Sequence, residues 1–304
     1  MQAILAAPHQ GDAPSKLEGG PCPASPACPP LYSLAEGIWE APAQGAETLI
    51  PELAKLLASH KVTPAQISRI ACVRGPGSFT GIRLILTTAL GLARSCPAKP
   101  TLAGLDYLPL LATTAAHYLK DPSKLPRASE VAGACGAEQK ICLFVLTHAR
   151  RGQVHSQGFT LQGNQISALT KASGQTIENA LQQIEQRYGE DTGHTGHSTH
   201  TGQTDLPLYL TGSGALRNQD AFLEHFPRAV LLPERLALPS STSLLLAAAK
   251  ASYSPKPIEP LYLRACDAEE NLPYIAAGLG LDPHKAMLEL LELTGRQPLK
   301  GSPT

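Results

Sequence analysis

The segment from Ile70 to Ala93 constrains the fold of this chain more than any other part of the sequence. It begins with apolar residues typical of a buried strand, passes through Arg74-Gly-Pro-Gly-Ser-Phe-Thr-Gly81, and then becomes helical in pattern. The glycines on either side of Pro76 permit a tight turn with positive φ. Ser78 is a good N-cap for the helix that follows. The segment therefore predicts a strand, a tight turn and a helix in succession, the unit from which α/β folds are built.

The predicted helix over 78–95 has no charged face, since Arg83 is the only charged residue between Ile82 and Ala93. A helix of this kind is usually buried all round. At 100° per residue, one face carries Ile82, Ile85, Leu86, Ala89, Leu90, Leu92 and Ala93, and the opposite face carries Leu84, Thr87, Thr88 and Gly91. The first face is expected to pack on a sheet. The second must be covered either by the amphipathic helix predicted over 45–60 or by a partner protein, and periodicity leaves both open.

Elsewhere, apolar runs and helical periodicity alternate along the chain, which predicts an α/β architecture. The predicted strands cover 2–7, 31–39, 67–73, 102–105, 141–147, 153–161, 208–211 and 260–264. The predicted helices cover 45–60, 78–95, 108–118, 176–187, 240–251 and 282–293. Segments rich in glycine, proline or polar residues indicate loops over 8–30, 120–138 and 189–206.

Composition argues against several functional classes. Lys and Arg together number 25, as do Asp and Glu, so the chain lacks the basic excess usual in a protein that grips nucleic acid alone. An odd count of 7 cysteines with no CxxC spacing indicates a reducing compartment, and Cys22 and Cys28 lack further ligands nearby. No run of 18 apolar residues predicts a membrane span. We expect a cytoplasmic protein.

The sequence contains no catalytic motif, so no catalytic residue and no metal ligand is predicted. The turn matches neither phosphate-binding glycine signature, and no two histidines are four residues apart. His194, His197 and His200 lie in a Thr/Gly-rich loop, where a solvated insertion is expected. The turn itself has two interpretations. It either packs a strand against a helix or contacts a nucleotide or another anion at the helix N-terminus. The residues concerned are Arg74, Gly75, Gly77, Ser78, Thr80, Gly81 and Arg83.

Four segments in order resemble the TsaB (YeaZ) family. Ile70-Ala-Cys-Val-Arg-Gly-Pro-Gly-Ser-Phe-Thr-Gly-Ile-Arg-Leu84 is similar to its signature segment, and Thr147-His-Ala-Arg-Arg-Gly-Gln-Val154 is similar to its "DARRGEVY" hairpin. Leu210-Thr-Gly-Ser-Gly214 is similar to its later glycine turn, and Pro260-Leu-Tyr-Leu-Arg264 to its "PLYLR" strand. The resemblance covers roughly residues 1–267.

The resemblance implies the two-lobed actin-like ATPase superfold (ASKHA, ribonuclease H-like) of the M22 glycoprotease-like proteins. It implies a first lobe over 1–105 plus about 236–266 and a second lobe over 106–235, and 267–304 is then expected to form a C-terminal helical extension. It also implies a function, as a subunit that is not an enzyme by itself and that supports formation of N6-threonylcarbamoyladenosine beside the anticodon of tRNA.

The partners implied are a catalytic TsaD-type paralogue, which carries the ATP and metal, and a TsaE-type ATPase. Contact with tRNA is expected through the complex, and the chain alone is expected to form a homodimer. The family's partner surface corresponds to Leu49, Leu53, Leu56, Leu84, Thr87, Thr88 and Gly91. Arg150 and Arg151 are candidates for an RNA or partner contact.

One feature departs from the family. Its usual first strand, close to "ILAIDTS", has no counterpart here, and Met1-Gln-Ala-Ile-Leu-Ala6 is similar to the family's second strand instead. We therefore expect the natural start to lie upstream, or the loop 8–30 to fill the gap. Two alternative functions stay open on the sequence alone: a stand-alone actin-like nucleotide hydrolase that uses the 75–81 turn, and an M22-type peptidase.

Overall fold

The computed structural model describes residues 2–8, 31–38, 45–120, 140–150, 152–191, 206–264 and 267–294. Contacts divide the chain into two compact units, Met1–Leu263 and Arg264–Thr304. The division of the larger unit into two lobes stays a prediction.

The larger unit begins with a hairpin. Strand β1 (Gln2–Pro8) runs antiparallel to β2 (Leu31–Ile38), with Gln2 opposite Ile38. Helix α1 (Gly45–Ser59) follows. These three elements confirm the pattern expected from the sequence.

The strand, turn and helix predicted from Ile70 onward are present. Strand β3 (Arg69–Gly75) leads into α2 (Phe79–Ser95), and β4 (Thr101–Asp106) returns parallel to β3. The crossover helix allows the two strands to run parallel. Within the described ranges β3 forms a ladder with β4 alone, and β1 with β2 alone. No strand in the described ranges joins these two pairs.

A second, larger sheet is built around strand β5 (Lys140–Arg150). Its other strands are β6 (Gln153–Gln162), β7 (Gln165–Ala168), β8 (Ser173–Thr176), β9 (Leu208–Thr211) and β10 (Val230–Leu231). The order is β10-β9-β5-β6-β7, and β8 also pairs with β6. β5 runs antiparallel to β6, to which a short turn connects it, and parallel to β9.

Helices cover both faces of this sheet, because side chains alternate along β5. Leu143 and Val145 pack with α3 (Tyr107–Leu119) in one core. Phe144 and its neighbours on the opposite face pack with α4 (Ile177–Asp191). The short helices α5 (Ser213–Arg217) and α6 (Gln219–His225) complete the second core.

The C-terminal part of the larger unit contains α7 (Ser241–Lys250), whose N-cap Ser240 accepts a hydrogen bond from the Ser243 backbone N–H, as its Ser/Thr-rich start predicts. The strand predicted over 260–264 is wrong. The described backbone contact of this segment is a hydrogen bond from the Leu261 N–H to the carbonyl of Arg74, and the described residues 260–264 form no strand. Pro257 and Pro260 have no N–H to donate, and β3 ends at Gly75, so no ladder can continue.

The smaller unit is a helical hairpin of α8 (Asp267–Gly278) and α9 (Pro283–Thr294). Asp282 caps α9, because its Oδ1 accepts hydrogen bonds from the backbone N–H groups of His284 and Lys285. The sequence predicts α9 but not α8, which carries Pro273 in its interior.

Candidate partner surface and signature turn

Helix α2 begins directly after Ser78, which acts as its N-cap. The hydroxyl of Ser78 accepts a hydrogen bond from the Gly81 backbone N–H at 3.3 Å. This contact satisfies one of the free N–H groups of the first turn. The predicted N-cap is therefore confirmed, and one N–H group that an anion could have used is already paired.

The turn before α2 is packed tightly against the segment that follows α7. Gly75 has φ of 129°, and a Cβ atom there would lie within overlap distance of the carbonyl oxygen of Leu261. The Leu261 N–H donates to the Arg74 carbonyl at 2.7 Å. Only glycine fits both the positive φ and this close approach.

Both arginines of the turn are held by neighbouring side chains. Arg74 Nε lies 2.6 Å from Asp106 Oδ1, in a half-buried ion pair at the ends of β3 and β4. The Arg83 guanidinium lies 4.3 Å from the centre of the Phe79 ring. Its Nε donates to Tyr262 Oη at 3.3 Å.

Phe79 completes this cluster, because its ring stacks on that of Tyr262 with centroids 4.1 Å apart. Stacked aromatic and cation–π contacts of this kind join the start of α2 to the segment around Tyr262. Thr80 and Gly77 are exposed, and no described contact assigns them a role. The geometry supports the packing interpretation of the turn over the anion-binding one.

A groove opens between α1 and α2 on the surface. Its volume is about 440 Å³, and it is lined by Ile50, Thr87, Thr88, Gly91, Leu92 and Ser95. The Ile50 side chain is 55% exposed at its rim. A Cβ atom added to Gly91 would have no neighbouring atom within 4 Å, so the groove floor is open there.

The hydroxyl groups of Thr87 and Ser95 beside the groove bond to carbonyl groups of their own helix. Thr87 Oγ1 donates to the Arg83 carbonyl at 2.7 Å, and Ser95 Oγ lies 3.5 Å from the Leu92 carbonyl. With these donors engaged, the groove offers a partner mainly methyl groups, leucine and isoleucine side chains, and backbone.

The structure distributes the seven predicted interface residues unequally. Thr87, Thr88 and Gly91 line the groove, whereas Leu53, Leu56 and Leu84 are half-buried beside it. Leu49 is only 7% exposed and contributes to the interior, and its assignment to a partner surface stays a prediction. Ile50, Leu92 and Ser95 were missed. Ser95 stands one turn after Gly91, and that spacing could have signalled it.

The second predicted contact lies at the β5–β6 hairpin. Arg150 is exposed there, and Arg151 falls outside the described residues. The pKa of His148 is lowered, first by burial and then by the charge of Arg217. The backbone N–H of His148 donates to Ser213 Oγ at 3.0 Å. At neutral pH the positive charge at this hairpin is therefore carried by the arginine side chains, and His148 is neutral.

Among the described residues, no group of three or more His, Cys, Asp and Glu side chains is arranged to hold a metal ion. His194, His197, His200, Cys22 and Cys28 all lie outside those residues. No helix in the described part of the chain is both long and apolar enough to span a bilayer.

Comparison with known proteins gives a matching family and a set of similar solved structures. The family model described as "TsaD: tRNA N6-adenosine threonylcarbamoyltransferase" matches residues 40–254. No curated protein matches. YeaZ from Pseudomonas aeruginosa is 19% identical with a TM-score of 0.50, over 76% of this chain and 90% of that chain.

A second crystal structure, an uncharacterized protein similar to peptidase YEAZ from Pseudomonas aeruginosa, is also 19% identical. It covers 77% of this chain and 90% of that chain with a TM-score of 0.49. The likeness to YeaZ confirms the actin-like α/β fold expected from the sequence and the resemblance on which that expectation rests.

Proposed function

Because this chain belongs to the family described by the model "TsaD: tRNA N6-adenosine threonylcarbamoyltransferase", we propose that it acts as a non-catalytic subunit in threonylcarbamoylation of tRNA. It pairs with a catalytic TsaD-type paralogue, which carries the ATP and the metal, and works alongside a TsaE-type ATPase. Contact with tRNA is made through the complex, in the cytoplasm.

The groove between α1 and α2 is the observation that carries this proposal. The axes of packed helices lie about 8–10 Å apart, and small side chains at the contact permit the closer distances. Thr87, Thr88, Gly91 and Ser95 supply such side chains along one side of α2, and Ile50 adds an exposed apolar rim. A partner helix can therefore seat between α1 and α2 without displacing any buried group.

We assign a supporting role because the chain lacks the paralogue's metal-ligand pattern and because the arginines of its turn are engaged within the chain. No two histidines in the sequence are four residues apart, as the paralogue's metal pattern HxxxH requires. In the turn, Arg74 and Arg83 are already paired with Asp106 and Tyr262. These contacts support a structural role for the turn and argue against a role in nucleotide hydrolysis.

Light scattering on a sizing column tests the proposal, with the chain alone and mixed with the TsaD-type paralogue from the same organism. We expect a stable heteromer. Leu84→Arg and Gly91→Arg should abolish it, because each adds a charge to the predicted partner face of α2, where an apolar partner surface would have to desolvate it. Gln182→Arg, at an exposed position on α4, is the matched control and should pair normally.

Circular dichroism must show that the variants stay folded. Gly91→Arg is the safer of the two, since its side chain enters open space. Normal pairing by a folded Gly91→Arg variant would refute the groove as the interface. ATP turnover by the purified chain alone would instead favour the stand-alone hydrolase.

A further inference from the structure

The helical hairpin of the smaller unit exposes many large apolar side chains. Tyr274, Ile275, Leu279, Leu281, Leu288 and Leu293 are between 49% and 86% exposed. This hairpin lies beyond the residues matched by the family model, which end at 254. Its surface is therefore not accounted for by the proposed function.

Within the hairpin, the two helices pack along one internal seam. Ala276 of α8 is 2% exposed there, and Ala286, Met287 and Leu290 of α9 are half-buried. Two short helices joined in this way bury too little apolar surface to be stable alone. Packing of the outward face of α9 against another surface would bury more apolar area and stabilise the hairpin.

The sequence of α9 indicates what that is. At 100° per residue, Lys285, Leu288 and Glu292 share a face opposite Ala286 and Leu290. All three are exposed. If a second α9 packs antiparallel about a twofold axis between Leu288 and Glu289, Lys285 of each copy lies across from Glu292 of the other, on the same flank. In such a pair, Leu288 of one copy meets Leu288 of the other, and each Lys285 meets a Glu292 of opposite charge.

We propose that the outward face of α9 is a self-association surface whose occupant is the α9 of a second copy of this chain. Leu288 forms the centre of the contact, and two Lys285–Glu292 pairs flank it. A twofold contact of this type is closed, so it yields a dimer and not a filament. It is independent of the α1–α2 groove and leaves that groove available to the paralogue.

Sedimentation equilibrium of the full chain tests this surface, and every variant is made in the Gly91→Arg background so that any dimer through α1 and α2 is removed. We expect a dimer that Leu288→Asp abolishes. Lys285→Glu alone and Glu292→Lys alone should each weaken dimerisation about tenfold, since each turns two attractive pairs into repulsive ones. The double variant Lys285→Glu/Glu292→Lys restores the pairs with reversed signs and should recover the affinity.

The recovery distinguishes a self-complementary contact from a loss of folding, because both single reversals are present in the double variant. The hairpin proposal is overturned if the Gly91→Arg chain stays monomeric at all concentrations. It is overturned equally by a dimer that Leu288→Asp leaves intact, or by a double variant that is no better than the single reversals. None of these results bears on pairing with the paralogue, which the heteromer experiment reports separately.

Discussion

The hydroxyl of Thr114 joins helices α3 and α7 through hydrogen bonds between buried neutral groups. Thr114 Oγ1 donates to Ser243 Oγ at 2.9 Å and accepts from the Ser240 backbone N–H at 2.9 Å. Thr114 is 5% exposed and Ser243 is fully buried. Losing one partner in such a place leaves a buried donor unsatisfied, which costs more than the bond itself contributes.

Thr114→Val should therefore lower the free energy of unfolding by about 1–3 kcal/mol, because it keeps the shape but leaves the Ser240 N–H without an acceptor. Thr113→Val is the matched control. Its hydroxyl donates only to the Pro109 carbonyl of the same helix, at 2.9 Å, and its removal should have little effect. Urea denaturation measures both, and equal effects would contradict the role given to Thr114.

Cys72 gives the chain a pH dependence above neutrality. Burial raises the pKa of its thiol from 9.0 to about 12. The unfolded thiol ionises first, so stability is complete below pH 9 and declines as the pH rises towards 12. Between pH 8 and 10 the unfolding free energy should fall by about 1 kcal/mol more than in Cys72→Ala. If urea denaturation shows the same fall in unfolding free energy in the natural chain and in Cys72→Ala, Cys72 is not the cause.

At the scale of elements, two glycines near and within α2 differ in whether the structure requires glycine. Gly75 precedes the helix with φ of 129° against the Leu261 carbonyl, whereas Gly91 lies inside the helix with open space around it. The first glycine is required by backbone geometry, and the second only costs the helix conformational entropy.

Gly75→Ala should destabilise the chain by about 3 kcal/mol or more, because both the positive φ and the overlap with Leu261 must be relieved. Gly91→Ala should instead stabilise it by up to about 1 kcal/mol, the difference in helix propensity. Thermal and chemical denaturation of the two variants measures both changes in stability. A Gly75→Ala variant of natural stability would contradict the packing described for the turn.

Element positions were predictable where periodicity was strong and capping residues were present. The bounds of α1, α2 and α7 lie within a residue or so of those expected from their apolar stripes and from Ser78 and Ser240. The short helices α5 and α6 were missed, because 5 and 7 residues hold too little of a helical period to recognise. The strand expected at 260–264 failed because a pattern of alternating residues cannot show whether a pairing partner is available.

At the scale of the whole molecule, the net charge bears on whether this chain can bind RNA by itself. Its 25 cationic and 25 anionic side chains cancel, so it has no net charge with which to attract phosphates. The proposed function accordingly assigns the grip on tRNA to other subunits.

The isolated chain should therefore bind tRNA weakly, with a dissociation constant above about 10⁻⁵ M near physiological salt, whereas its mixture with the paralogue should bind more tightly. Electrophoretic mobility shift or fluorescence anisotropy, repeated at several salt concentrations, measures both. Micromolar, salt-dependent binding by the chain alone would show that the exposed Arg150 and its neighbours suffice.

The sequence by itself determined the α/β class, the turn before α2 and the uncharged character of that helix, because these depend on local periodicity, capping and backbone freedom. Only the tertiary structure decided which residues face outward. The place of Ile50 at the rim of the groove depends on α2, and the pairing of the turn arginines depends on Asp106 and Tyr262, all distant in sequence. A helical stripe shows that a face is apolar, but the packing of other elements determines how much of it stays open to a partner.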